Sequence, residues 1–200
     1  MRRLIPLAFL ATALVTALYV AYGFYGHVGQ VAQGQAQLQN QFDASVGEFI
    51  GNNGASALVK PPETLPGDAL ARLTIPRLDL SWIVVEGVAL DDIVNAPGHY
   101  PTSQLPGQVG NFAVAGHREP GLFWDLDKVR AGDKILVQTR KGQYTYTVTR
   151  NFITDPQSWP EVSKTPPGFP ARSKVLTLTT CDPKYDNFHR LVIHGVLVEN

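Results

Sequence analysis

The chain has 200 residues, 44% of them apolar, which is enough for one globular domain of ordinary size together with an extension. Its 17 basic and 17 acidic residues cancel, and this lack of a basic excess or patch argues against a nucleic-acid-binding protein. The one cysteine, Cys181, excludes an intrachain disulfide framework, a thioredoxin-like dithiol and a zinc site built from cysteines.

A membrane-spanning helix is predicted near the N-terminus. Residues 4–22 are uninterrupted by charge and long enough to cross a bilayer. Arg2 and Arg3 precede them, which predicts a cytoplasmic N-terminus and places everything after about residue 25 outside the cell. A cleaved signal peptide is the alternative, but the apolar run is long for one and no clear A-x-A site follows it. We therefore expect an uncleaved anchor over residues 1–25.

A stalk or linker is predicted over residues 26–67, between the anchor and the folded domain. Four apolar residues here have the spacing of one helix face: Val31, Leu38, Phe42 and Phe49. A short juxtamembrane helix is therefore one interpretation. The glutamine-rich run of residues 30–41 and the Gly, Asn and Pro content of residues 51–67 favour instead a solvated stalk that lifts the domain off the membrane.

An all-β domain is predicted over residues 68–200, where short apolar runs alternate with turn residues as in a barrel or sandwich. Strands are predicted at ARLTIPRL, SWIVVEG, GNFAVAGH, KILVQT (residues 134–139) and QYTYTVT (residues 143–149), and in the runs that contain Val175 and Leu191. Short helices are predicted over residues 90–95 and 122–129. The proline-rich segment 154–173 is too long for a plain connector, so we expect a surface loop beside a binding site.

The last two predicted strands bring a thiol and a guanidinium together. Alternation places Thr177, Thr179 and Cys181 on one face, with Cys181 at the strand end. Residues 182–189 contain turn-forming residues, so the two strands can pair as neighbours with Cys181 and Arg190 at the same edge. A guanidinium beside a thiol favours the thiolate and can hold an oxyanion.

A cysteine nucleophile usually needs a histidine partner, and His117 is the best candidate among five. It follows a clearly predicted strand in VAGHRE. A side chain placed just after a strand can lie at the same edge of the sheet as the end of another strand. His194 shares the face of Arg190 but would lie about 13 Å from the thiol, and His99 is interpreted as a loop residue. A lone cysteine is more often a small buried hydrophobe, so a membrane-tethered, non-catalytic β-domain for binding or scaffolding is the alternative.

These residues together match a known family. TLTTC, followed nine positions later by Arg190 in HRLVI and preceded some sixty residues upstream by AGHR, resembles the sortases, membrane-anchored cysteine transpeptidases of Gram-positive bacteria. GHYP, LPGQVGNFAVAGHR and TLTTCDPKY are closest to class E of high-GC Gram-positive bacteria, whereas the compact segment after His117 is similar to class D. The resemblance covers residues 69–199 and implies an eight-stranded β-barrel with short helices on its connections.

The resemblance also implies a mechanism. Cys181 would attack the threonine carbonyl of a C-terminal LAxTG or LPxTG-like sorting signal and form a thioacyl enzyme. His117 would protonate the departing glycine amine and then accept a proton from the incoming amine. Arg190 would stabilise the oxyanion, with a backbone N–H near Thr180 or Cys181 as the second donor. No cofactor or metal is needed for this chemistry.

The same resemblance implies partners, location and substrate contacts. The partners would be secreted proteins with a sorting signal, a peptidoglycan precursor or pilin amine as acceptor, and the lipid bilayer through residues 4–22. The protein would be a single-pass type II membrane protein with its catalytic domain outside the cell. Tyr100 would set the class E preference for LAxTG, unless its ring only caps the barrel. Trp159 and Phe169 of the 154–173 loop would be apolar contacts of the groove.

Overall fold

The structure, a computed structural model, describes residues 4–52 and 67–199. The helix α1 (Leu4–Asn52) precedes eight strands: β1 (Ala69–Ile75), β2 (Leu80–Glu86), β3 (Gly98–His99), β4 (Gly110–Ala115), β5 (Lys134–Thr139), β6 (Gly142–Thr154), β7 (Lys174–Asp182) and β8 (His189–Leu197). Short 3-10 helices lie on the connections at Pro76–Leu78, Phe123–Lys128 and Trp159–Val162.

The strands close into a barrel in the order β1, β2, β3, β4, β7, β8, β6 and β5, with β5 returning to pair with β1. The β2–β3 and β4–β7 pairs are parallel and the others are antiparallel. The closure between β2 and β4 runs through the short strand β3, which pairs with only two residues of each neighbour. The predicted eight-stranded barrel is therefore confirmed.

Alternation along β7 separates the barrel core from the surface that carries the site. Leu176 and Leu178 point into the barrel, where they pack in the main apolar cluster with residues of the other strands. Thr177 and Thr179 point outward, yet they are 0% and 7% exposed. The 154–173 segment covers this outer face, as shown by the hydrogen bond from Thr177 Oγ1 to the carbonyl of Glu161 (3.4 Å).

Three local predictions differ from the structure. Residues 90–95 form turns rather than a helix, with the N–H groups of both Asp92 and Ile93 directed at one carbonyl, that of Ala89. Strand β6 continues to Thr154, beyond the predicted end at 149, because its second half pairs with β8. The two-residue strand β3 was missed.

His99 was interpreted as a loop residue, but it belongs to β3 and is buried, with 2% of its surface exposed. Its Nδ1 lies 2.9 Å from Oε2 of Glu86, and its Nε2 lies 2.9 Å from Oγ of Ser103. Both ring nitrogens therefore have partners inside the protein. The imidazole anchors the segment that leads into Tyr100.

Preferring a solvated stalk was wrong for residues 26–52, because α1 runs through them without interruption and packs against the barrel. Val31 and Phe42 are 1% and 0% exposed. Gln35 accepts a hydrogen bond from the Ile83 N–H (2.7 Å) and donates one to the Asn95 carbonyl (2.9 Å). The alternative interpretation, a juxtamembrane helix, describes this part of the chain. The rest of the predicted linker, residues 53–66, lies outside the described residues.

The N-terminal part of α1 has the character of a membrane span. Within Phe9–Gly47 an apolar window is long enough to cross a bilayer, and none of that window is buried against the rest of the protein. Leu10, Leu14 and Leu18 are each at least 60% exposed. The length and composition of this part of α1 therefore agree with the predicted membrane span.

Candidate active site

The β7–β8 hairpin places the thiol beside a guanidinium. Cys181 and Arg190 are direct partners in the antiparallel ladder, which confirms the predicted pairing. Side chains at such positions have Cβ atoms about 4.5–5.5 Å apart. Both residues are half-buried, and Cys181 is a free thiol. Nη1 of Arg190 donates to the carbonyls of His189 (2.9 Å) and Asn187 (3.1 Å), which holds the guanidinium at the start of β8.

The parallel pairing of β4 with β7 brings His117 to the same edge of the barrel. Ala115 pairs with Thr179, and the Gly116 N–H donates to the Thr179 carbonyl at 3.1 Å. His117 lies two residues beyond Ala115, and Cys181 lies two residues beyond Thr179. Neighbouring strands are about 4.8 Å apart, and His117 follows the end of the strand that lies beside the Cys181 strand. His117 is half-buried, and its carbonyl accepts the N–H of Phe123 (3.1 Å).

A cleft of about 190 Å³ opens beside Arg190. The barrel strands contribute four of its lining residues, namely Thr154, Thr179, Arg190 and Val192, and Tyr100, which directly follows β3, also lines it. The 154–173 segment contributes most of the others, including Trp159, Glu161 and Val162. The expected surface loop therefore lines a cleft, and its short 3-10 helix forms one wall of it.

Two of the four predicted substrate contacts line this cleft. The Tyr100 hydroxyl lies 3.4 Å from Oγ1 of Thr179, so its ring faces the cleft rather than the barrel interior. Trp159 also lines the cleft and is 68% exposed. The side chain of Thr180 points into the barrel and the residue is 3% exposed, so Thr180 does not line the cleft.

Phe169 does not line the cleft. Its ring packs against the imidazole of His194, with 5.3 Å between centroids, and under the guanidinium of Arg150 at 5.4 Å. The predicted loop lines the cleft, but its turns direct Phe169 toward the middle of β8, away from Arg190.

The outer face of β8 carries a buried polar cluster that the sequence did not reveal. His194 is 0% exposed, and its Nδ1 accepts from Nε (3.0 Å) and Nη2 (2.9 Å) of Arg150. Its Nε2 lies 3.3 Å from Oε2 of Glu161, but the two atoms are not aligned for a hydrogen bond. Burial and the positive charge of Arg150 lower the pKa of His194 to about 4. His194 is therefore neutral near pH 7, and it lies buried between Arg150 of the barrel and Glu161 of the cleft wall.

Asn111 of β4 forms a second attachment for the same loop. Its Nδ2 donates to the carbonyls of Ser163 (3.0 Å) and Glu161 (3.3 Å), and its Oδ1 accepts from Thr177 Oγ1 (2.8 Å). The side chain is fully buried. An asparagine within the apolar run GNFAVA is the sequence signal that could have identified it, because a buried amide must find partners.

Metal binding is not supported by the described residues. No group of three or more His, Cys, Asp or Glu side chains within 4–52 and 67–199 is arranged to hold an ion. The chemistry available at the edge is therefore that of a thiol, an imidazole and a guanidinium beside a cleft of mixed polarity.

Comparison with known proteins agrees with this geometry. The sortase domain family matches residues 73–198. Sortase SrtE1 of Streptomyces coelicolor is 28% identical over 206 residues, and the match covers 96% of this chain but 55% of that protein, so the chain spans about half its length. Sortase D of Bacillus subtilis is 27% identical, with 92% of this chain and 90% of that protein covered. The crystal structure of sortase E1 from S. coelicolor with a tripeptide in the active site has a TM-score of 0.62 and 30% identity, over 68% of this chain and 92% of that one.

Proposed function

This chain belongs to the sortase family of cysteine transpeptidases, and we propose that it is a membrane-anchored member acting outside the cell. It cleaves a C-terminal sorting signal of the LAxTG or LPxTG type between threonine and glycine. It then joins the acyl group to an amine, either of a peptidoglycan precursor or of a pilin lysine. The observation that carries the proposal is the ladder pair of Cys181 and Arg190, with His117 leaving the adjacent strand at the same edge.

In the first half of the reaction, the Cys181 thiolate attacks the threonine carbonyl carbon and forms a C–S bond. The resulting oxyanion is stabilised by N–H groups of Arg190. When the intermediate collapses, the C–N bond to glycine breaks and His117 gives a proton to the departing amine. In the second half, the acceptor amine attacks the thioester while His117 accepts its proton. The thiolate of Cys181 then leaves, and a new peptide bond remains.

The Cys181 N–H is the better candidate for the second oxyanion donor. Along a strand, the N–H and C=O groups of one residue point the same way, and those of the next residue point the opposite way. The Thr179 carbonyl faces β4, where it accepts from Gly116. The amide of Cys181 therefore also points to the β4 side, beyond the last residue of that strand, whereas Thr180 directs its amide toward β8.

The cleft beside Arg190 is the proposed binding site for the sorting signal. Its walls are the barrel face around Thr179 and the loop that carries Trp159. Tyr100 narrows the cleft from the barrel side, which supports a role in selecting the small second residue of an LAxTG signal. The tripeptide in the active site of S. coelicolor sortase E1 supports the assignment of this class of ligand.

Residues 1–25 are proposed to anchor the protein, with the N-terminus in the cytoplasm and residues 4–22 in the bilayer. The catalytic domain comprises residues 68–200. Because α1 is continuous and rises about 1.5 Å per residue, Gln35 lies about 20 Å beyond residue 22 along the helix axis. Gln35 is bonded to the barrel, so α1 holds the domain close to the membrane surface, where a secreted protein with a C-terminal signal emerges.

The test is transpeptidation by the full chain in detergent micelles. The protein is incubated with LAxTG and LPxTG pentapeptides and a panel of amines, and the products are identified by mass. We expect a thioester on Cys181 and an amine-linked product, both lost in Cys181→Ala at an unchanged melting temperature. No product with any peptide, together with a Cys181 that resists alkylation in the folded protein, would instead indicate the non-catalytic, membrane-tethered β-domain.

A further inference from the structure

A buried arginine lies at the candidate active site in addition to Arg190. Arg118 directly follows His117, and its side chain is 4% exposed. The guanidinium bonds to four acceptors on two segments: the carbonyls of Trp124 (3.0 Å from Nε) and Cys181 (3.1 Å from Nη1), and the carboxylates of Asp182 (3.1 Å from Nη1) and Asp127 (3.0 Å from Nη2). All three of its nitrogens are engaged, so Arg118 has a different role from a substrate-facing guanidinium.

The bond to Cys181 occupies a defined place in the sheet. In the parallel β4–β7 ladder, the Gly116 N–H donates to the Thr179 carbonyl. The next bond of a regular parallel ladder would run from the N–H of residue 118 to the Cys181 carbonyl. The chain leaves the sheet after Gly116 to present His117. The backbone N–H of Arg118 is therefore moved away from the Cys181 carbonyl. The guanidinium of Arg118 makes the bond in place of its own backbone N–H.

We propose that Arg118 is a positioning residue that sets the imidazole of His117 against the sulfur of Cys181. The residues on both sides of His117 are tied to β7, Gly116 through Thr179 and Arg118 through Cys181. His117 can therefore leave the sheet while its backbone stays at a fixed distance from the thiol strand. The inference rests on the proposed function of His117 and Cys181.

The charge and shape of the guanidinium make this role specific to arginine. A buried cation needs paired anions. Asp127 pairs with Nη2 of Arg118, and Asp182 pairs with Nη1. A lysine keeps the charge but has a single nitrogen. It cannot reach the Trp124 and Cys181 carbonyls together with both carboxylates. Arg118→Lys should therefore loosen the geometry of the site without leaving it uncharged.

The test compares Arg118→Lys with the wild-type full chain in detergent, using Arg72→Lys as the matched control. Arg72 also pairs with a carboxylate and an amide, Asp43 and Gln138, but it lies on β1. Because a misplacement of about 1 Å can cost about 10²-fold in rate, we expect kcat to fall 30-fold or more in Arg118→Lys. KM for the peptide should stay within about threefold of the wild-type value, since Arg118 does not line the cleft. The control should retain wild-type kcat.

The pH profile separates positioning from general destabilisation. Loss of the His117–Cys181 geometry should displace or narrow the bell-shaped dependence of kcat/KM on pH, which destabilisation alone would not do. A folded Arg118→Lys with wild-type kcat and pH profile would overturn the proposal. If that variant does not fold, Asp127→Ala replaces it, because it removes the carboxylate that orients the guanidinium from its outer side. A wild-type kcat in folded Asp127→Ala would then overturn the positioning role.

These outcomes are distinct from failure of the proposed function. An inactive wild-type protein in the peptide and amine panel argues against the transpeptidase assignment itself. An active wild-type protein with an unaffected Arg118 variant argues against the positioning role alone.

Discussion

Lowering the pH from 6.5 to 4 should destabilise this protein through His194. The ring is buried beneath the 154–173 loop, where burial and Arg150 lower its pKa from 6.5 to about 4. In the unfolded chain the imidazole takes up a proton below pH 6.5, while in the folded protein it stays neutral down to about pH 4. The unfolded state therefore binds more protons in this interval, and stability falls as the pH falls. The contribution is complete above pH 6.5 and lost by about pH 4.

Each pKa unit corresponds to about 1.4 kcal/mol, so the loss across this interval is about 3 kcal/mol. That amount is a large fraction of the 5–15 kcal/mol by which a typical domain is stable. The assay is chemical denaturation of the full chain in detergent at a series of pH values, followed by tryptophan fluorescence. His194→Gln removes the titrating group but keeps an amide oxygen that can accept from Arg150.

The free energy of unfolding of His194→Gln should therefore change less with pH between 6.5 and 4 than that of the wild type. His189→Gln is the matched control, since His189 lies on the same strand but is exposed. It should keep the wild-type dependence. If His194→Gln and the wild type lose stability in parallel as the pH falls, burial of neutral His194 is not the cause, and the argument from its surroundings fails.

Four other substitutions test the site and the fold. His117→Ala and Arg190→Ala should each lower kcat/KM by about 10³-fold or more with little change in melting temperature; near-normal turnover in the His117 variant would exclude its assigned role. Asn111→Ala should lower the free energy of unfolding by about 1–3 kcal/mol, because loop carbonyls are left unpaired; denaturation measures this loss. It should also raise KM for the peptide in steady-state kinetics. An unchanged KM would mean that the loop keeps its position without this amide. Phe42→Ala should cost about 3–5 kcal/mol and make α1 sensitive to limited proteolysis, and a protease-resistant helix in this variant would contradict its packing on the barrel.

The strand pairing that the sequence predicted correctly depends on local patterns. Cys181 and Arg190 lie on strands joined by a short hairpin loop, so alternation and turn residues were sufficient to pair them. The strand pattern also indicated the barrel-forming runs, because apolar alternation is visible along each run. Strand β3 was not predicted, because two residues are too few to show a periodic pattern.

The interactions that the sequence did not reveal join distant segments. The bond from Gln35 to Ile83, which docks α1, joins residues 48 apart, and that from Arg118 to the Cys181 carbonyl joins residues 63 apart. Composition misled the interpretation of residues 26–52, because a glutamine-rich segment favours a solvated stalk unless a partner surface exists. The barrel provides that surface, and its existence depends on strands that follow much later in the chain.

The sequence alone thus determined the all-β domain, the paired thiol and guanidinium, and the apolar N-terminal segment, since each depends on residues that are near one another along the chain. Only the tertiary structure decided that β4 lies parallel to β7, which brings His117 to the same edge of the barrel as Cys181. It also decided that the 154–173 loop turns Trp159 toward the cleft and Phe169 away from it. The physical reason is that barrel closure and loop docking depend on packing and hydrogen bonding between segments whose spacing in the sequence carries no periodic signal.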